Sequence, residues 1–363
     1  MVLSLEELEE KTLTEDDSSE VPPPDIVAYN ELRSCADLFR MKMQGMLEIQ
    51  PEFQRDVVWK GPDQSRFIDS LIKQLPIPSM CFALDYKAQK WVVIDGLQRI
   101  ATIVKFLEGG DWTISDLEDI EPEIAGKSVA AIKQQASALH HYYTRVENLT
   151  IPITVLRCDF KKKNHTEFLF TIFHRLNTGG TKLNNQEIRN CIFSGTLNNF
   201  LAQADQYPGW RKLNKMKPKE SYRFMKREII LRFLAFHDRL DQYEGHLAKF
   251  LNSYMHDNRY ASDDLIAQKR KLFQETVDCI TSKAYQGVTP KLSLTVLEAV
   301  LIGVARNLEA LKFEAPTAVA ERFNRLVAHD DFSEASLKEG LSKKPRVIAR
   351  LRTAINVFAG HVE

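Results

Sequence analysis

Cysteine is scarce in this chain and poorly placed for shared chemistry. The five residues, Cys35, Cys81, Cys158, Cys191 and Cys279, are scattered over 363 positions. No C-x-x-C pair occurs and the count is odd, which argues against a zinc site or a disulfide framework. Free thiols suit a reducing compartment, so a cytoplasmic location is expected. Long apolar runs are missing too. The longest, LTVLEAVLIGVA at 294–305, contains Glu298. It falls short of the ~18 residues of a membrane span. It reads as a buried helix, and no membrane partner is expected. The first residues are acidic and lack an apolar h-region, so no signal peptide is expected. Also absent are H-E-x-x-H, G-x-S-x-G and G-x-G-x-x-G, the marks of zincins, α/β-hydrolases and dinucleotide folds. His140 and His141 have no carboxylate at ligand spacing, so no protein-built metal site is expected.

What remains is an ordinary globular composition, 44% hydrophobic and 27% charged, with a formal net charge of zero. The charge is unevenly spread. Residues 1–25 hold nine acids against one base, Lys11, so the rest of the chain is basic by eight. A mild basic excess permits nucleotide or nucleic-acid partners without demonstrating them. The acidic leader reads as a solvated, disordered tail that ends in VPPPD at 21–25.

Residues 26–160 mix strand and helix signals. GPD at 61–63 starts a helix, with Asp63 as the expected N-cap. SMCFALD (79–85) and KWVVID (90–95) read as two strands. A helix follows at once and stops at Gly109-Gly110. Residues 129–148 look helical and NLTIPITVLRCDF (148–160) is a strand. From 161 to 363 nearly everything is helical, and Asn184 with Glu187 forms a capping-box pattern. The strands lack regular βαβ alternation. The fold class is therefore α+β, with an α/β domain followed by a mainly helical one.

Three polar clusters stand out. IDGLQR, 94–99, sits at a strand-to-helix junction, where free backbone N–H groups and the helix dipole favour an anion. Gly96 permits close backbone approach, and Arg99 offers a fork of donors. Asp95 can orient Arg99, a metal ion or a water, and Gln98 can donate and accept. The plain alternative is that Asp95 caps the helix and pairs with Arg99 as scaffolding. PEFQR, 51–55, brings Gln54 and Arg55, or is a surface turn. NTGGT, 177–181, is an interhelix turn, or a polar loop in which Asn177, Thr178, Gly179 and Gly180 face a phosphate or ribose. A fourth feature is charge. Residues 211–232 carry nine bases and two acids with Trp210, Tyr222 and Phe224 interleaved. Arg211, Lys212, Lys215, Lys217, Lys219, Arg223, Lys226 and Arg227 are thus candidate DNA contacts, with a solvated helix face as the alternative.

In order along the chain come I-x-P-x-F-Q-R-x-x-V-W, F-I-x-S-L-I-x-x-x-P-I-P, V-I-D-G-x-Q-R-x-x-T-I and F-x-x-x-N-T-G-G-x-x-L-x-x-x-E-I-R. This series across residues 49–189 resembles the N-terminal domain family of GmrSD-type, modification-dependent restriction endonucleases. The resemblance implies a ParB/sulfiredoxin-like fold with a nucleotide-phosphate site at a D-G-Q-Q-R motif, matched here by Asp95, Gly96, Gln98 and Arg99. Leu97 stands where the family usually has glutamine. The resemblance also implies NTP hydrolysis, DNA nicking or cleavage, and defence against phage; the expected cofactor is an NTP with Mg²⁺. Its neighbouring motifs match Phe53, Gln54, Arg55, Asn177, Gly179 and Gly180. Such enzymes usually carry a C-terminal HNH-like nuclease. No His-centred pattern of that kind follows residue 190, so a separate nuclease subunit is an expected partner. The rival expectation is a non-catalytic sensor or adaptor that recruits that nuclease.

Overall fold

The structure is a computed structural model that describes residues 22–49, 59–176, 183–216, 225–287, 290, 292–333, 336 and 341–361. The chain divides into two compact units, Glu20–Leu183 and Asn184–Glu363.

The first unit is built on strands β1 (Val27–Ser34), β2 (Leu47–Glu48), β3 (Met80–Asp85), β4 (Lys90–Asp95) and β5 (Thr150–Cys158), in spatial order β1-β5-β3-β4-β2. The sheet is mixed: β1–β5 and β3–β4 are antiparallel, β3–β5 and β2–β4 parallel. Its helices are α1 (Cys35–Met43), α2 (Gly61–Ile72), α3 (Leu97–Glu108), α4 (Val129–Lys133), α5 (His140–Asn148) and α6 (Lys163–Leu176). Strand alternation sends Met80, Phe82, Trp91, Val93, Ile153 and Val155 into one core with Leu38, Ile68, Ile103, Phe106 and Val146 of the helices. Each such side chain contributes roughly 1.5–3 kcal/mol on burial. Helix α2 starts at Gly61 with Lys60 as its N-cap, so Asp63 lies in the first turn instead of capping it. The helical stretch expected at 129–148 is interrupted between α4 and α5, where the Ser137 hydroxyl accepts the Leu139 N–H at 3.1 Å and holds a turn.

The other face of the sheet is also covered. Val92, Ile94, Leu156 and Cys158 are buried, and α6 packs on β4. The start of α6 is tied to the end of β5. His165, 1% exposed, accepts the Asp159 N–H at Nδ1 (3.0 Å) and meets Asp25 Oδ1 through Nε2 (2.9 Å). Because Nδ1 accepts, Nε2 carries the proton. Register puts Cys158 and Lys90 beside Asp85 at this end of the sheet and Asp95 at the opposite end. Fourteen helical residues reach about 21 Å, and a six-residue strand about 20 Å. A helix that begins at the Asp85 end and packs along β4 therefore carries its C terminus toward Asp95.

The second unit is helical. Its elements are α7 (Asn185–Ile192), α8 (Thr196–Asp205), α9 (Pro208–Leu213), α10 (Met225–Arg239), α11 (Leu247–Asp257), α12 (Asp263–Cys279), α13 (Leu294–Arg306), α14 (Leu308–Leu311), α15 (Pro316–Ala328) and α16 (Lys344–Ala359). The expected capping box is present at Asn184 and Glu187. Helix α13 is buried from Leu294 to Ala305. Among the described residues, no helix is long and apolar enough to cross a membrane.

Candidate functional site

The junction between β4 and α3 is shaped by one extra residue. Phe82 pairs with Val93, but the next pair is Cys81 with Asp95, so Ile94 is inserted opposite Cys81. A bulge of this kind bends the strand and re-aims its last side chain. Gly96 follows at φ 95°, ψ 16° and is the N-cap of α3, with no side-chain cap. A Cβ there would lie 2.6 Å from Met80 Cγ. Glycine is thus required twice, for the left-handed backbone and for the space. The first N–H groups of α3 have no intrahelical partner, and the positive end of the helix dipole faces the same way.

Arg99 turns back over this junction. Its Nη2 donates to Asp95 Oδ2 at 2.8 Å, and its Nη1 donates to the Pro78 carbonyl. The Arg99 side chain is 15% exposed and that of Asp95 40%. Burial pulls the Arg99 pKa below its usual value, against the pull of Asp95, yet a guanidinium remains charged at any physiological pH. Gln98 points to the other side, where its Oε1 accepts the Trp59 N–H at 3.4 Å. Trp59 packs edge-on to Phe67, with ring centroids 5.4 Å apart. Gln98 therefore holds Trp59, four residues beyond Arg55 in the sequence. Leu97 packs against the core. Asp95 offers one carboxylate; among the described residues, no group of three or more His, Cys, Asp and Glu forms a metal cage.

The family model for the GmrSD restriction endonuclease, N-terminal domain, matches residues 35–194. Residues 35–194 are thus similar to the GmrSD N-terminal domain. No curated protein and no solved structure gives a match.

Asp95, Gly96 and Arg99 lie within the matched residues and come together at the uncapped end of α3, with Gln98 turned to Trp59. Gln54, Arg55, Asn177, Thr178, Gly179 and Gly180 lie outside the described residues, as do Phe53, Lys217, Lys219 and Arg223. Of the remaining basic residues, Lys212 and Lys215 are exposed and Arg211 and Lys226 are half-buried. Arg227 is only 3% exposed, so its guanidinium is not offered to a DNA backbone. Trp210 is fully buried against Phe273, at 5.5 Å between ring centroids, and is a core residue instead of a base-stacking one.

Sequence reasoning missed the polar centre of the helical unit. Arg189, near the end of the matched residues, is 1% exposed. Its Nη1 donates to Glu228 Oε2 at 2.8 Å and its Nε to Asn252 Oδ1 at 2.9 Å. Arg232 donates to Glu228 Oε1 through Nε (3.1 Å) and Nη2 (2.5 Å). Burial alone would raise the Glu228 pKa, but the two arginines outweigh it and hold the carboxyl below its usual value. Glu298 is less well served. Its Oε1 is 3.9 Å from Arg232 Nη1, without a hydrogen bond, and burial leaves its pKa raised. The signal was the helical spacing of Glu228 and Arg232, which a count of charges along the segment overlooks.

Proposed function

We propose that the chain is a DNA-associated, nucleotide-binding component of a modification-dependent restriction or antiphage system, with the nucleotide phosphates seated at the N terminus of α3. The observation that carries this reading is the junction itself: a bulged strand, a left-handed glycine, an uncapped helix end and a largely sheltered guanidinium within the residues that match the GmrSD N-terminal domain. An anion placed there meets backbone N–H groups and a fixed positive charge. In this reading Arg99 neutralises phosphate, Asp95 fixes Arg99, and Gln98 positions the segment holding Gln54 and Arg55. Asn177, Thr178, Gly179 and Gly180 complete the site from the far end of α6, whose direction along β4 supports that placement. The unit is then ParB/sulfiredoxin-like. One carboxylate together with substrate phosphates is a common Mg²⁺ arrangement, and Asp95 has its Oδ1 left for one; bound Mg²⁺ would neutralise phosphate charge. Arg211, Lys212, Lys215 and Lys226, with Lys217, Lys219 and Arg223, would meet the DNA backbone. A separate nuclease subunit would cut it.

A specific observation also favours the non-catalytic version, a nucleotide or DNA sensor. Leu97 faces the core where the family usually has a glutamine, and Arg99 already has two protein partners. Phosphate release measured with each of the four NTPs separates the two. If the chain is an NTPase, Arg99→Ala removes about 2–4 kcal/mol of transition-state stabilisation, by analogy with other charge-stabilising donors. Saturable nucleotide binding with no release above the blank assigns the sensor role instead. DNA binding is expected to weaken steeply with salt; an affinity indifferent to ionic strength overturns the basic-patch assignment.

A further inference from the structure

The phosphate seat lies at one end of a row of paired residues that crosses the sheet, polar at Asp95, Thr154 and Asn30 and buried at Cys81 between them. Register aligns Asp95 of β4 with Cys81 of β3, Cys81 with Thr154 of β5, and Thr154 with Asn30 of β1. Directly paired residues share a face, so these four side chains stand on the same side, the one opposite the main core. Three strand spacings separate Asp95 from Asn30, roughly 14 Å, the reach of an extended nucleotide from its terminal phosphates to its base. The far part of the row is open. Asn30 and Ser79 are exposed and Thr154 is half-exposed. Their polar groups are already linked: the Thr154 hydroxyl donates to Asn30 Oδ1 at 2.9 Å, and Ser79 Oγ lies 3.2 Å from Thr154 Oγ1. With Oδ1 engaged, the group left on the Asn30 side chain is its NH₂, a double donor. Leu32, two residues on and paired with Pro152, stands on the same face and is 68% exposed.

We propose that this row is the nucleoside subsite of the phosphate site: the Ser79 and Thr154 hydroxyls take the ribose hydroxyls, the Asn30 amide donates to acceptor atoms on the base edge, and Leu32 lies against the base. The ligand class is a ribonucleoside triphosphate with its base over β1. The inference rests on the phosphate reading above. It adds that affinity comes from the sugar and base as well as from the charge. Nothing in it depends on hydrolysis.

The test titrates each of the four NTPs, and inorganic tripolyphosphate as a nucleoside-free probe, into the full chain and its Asn30→Ala, Thr154→Val and Thr154→Ser variants. Thermal melts check that each variant is folded. The proposal expects at least one NTP to bind more tightly than tripolyphosphate. It expects Asn30→Ala and Thr154→Val each to weaken that NTP by about 10-fold, the loss of one hydrogen bond, and to leave tripolyphosphate unchanged. Thr154→Ser keeps the hydroxyl and is expected to retain most of the affinity. If the wild type binds NTP and tripolyphosphate equally, or neither variant changes NTP affinity, the nucleoside subsite is wrong while the phosphate seat stands. If the wild type binds no probe, the phosphate seat itself is wrong and the subsite falls with it.

Discussion

Replacing Arg189 by alanine tests whether the buried ionic centre organises the helical unit. The guanidinium is 1% exposed and makes two short bonds, to Glu228 at 2.8 Å and to Asn252 at 2.9 Å. Removing one partner of a buried charged pair costs about 3–5 kcal/mol, because the other charge is left uncompensated. Here Glu228 keeps its two bonds from Arg232, so the lower end, about 3 kcal/mol, applies. For a unit of this size that corresponds to a fall in Tm of roughly 6–12 °C. The assay is thermal unfolding followed by circular dichroism, with Lys212→Ala, an exposed position, as the reference expected to stay within about 0.5 kcal/mol. An Arg189→Ala melt no lower than that of Lys212→Ala would refute the claim that Arg189 binds α7 to α10 and α11.

Three more outcomes follow from the same physics. Gly96→Ala must force a side chain into a left-handed position and against Met80, so it is expected to destabilise the first unit by about 1–3 kcal/mol, and to cost less when introduced into a Met80→Ala background than into the wild type; calorimetry of the two single variants and the double variant checks this. Asp25 is held at about 2 by hydrogen bonds from Lys162 and His165. A depressed carboxyl stabilises the fold above its unfolded value and loses that contribution as pH falls through the folded one, so Asp25→Asn is expected to flatten stability between about pH 4 and pH 2 in acid titrations. The Glu298 pKa is raised by burial. Its contribution is present below the unfolded pKa and lost as pH rises through the folded one, so Glu298→Gln is expected to raise Tm more at pH 8 than at pH 5, and an equal effect at both contradicts the assignment.

Parts of this architecture are legible in the residues alone. KWVVID alternates into Asp95-Gly96, and Asn184 with Glu187 marks the start of α7, because both depend on neighbours in sequence. Strand β1 was not legible: VAYNELRS lies at the sheet edge, where Val27, Tyr29 and Leu32 are exposed and no clean in–out alternation is imposed. The one-residue step opposite Cys81 is set by pairing with β3, so nothing local announces it. The basic run at 211–232 misled in part, because counting charges cannot distinguish exposed Lys212 and Lys215 from buried Arg227 and Arg232. The paired rows across the sheet are a tertiary fact, which is why Asn30 and Thr154 carry no signal of their own.

The central claim is that the end of α3 and Arg99 together hold phosphate, and calorimetric titration of tripolyphosphate measures it most directly. Saturable binding by the wild type, weakened at least 10-fold in Arg99→Ala and eased by rising salt, is the predicted result. Identical titrations for the two proteins would contradict it and leave Arg99 as a strut between Asp95 and the Pro78 carbonyl.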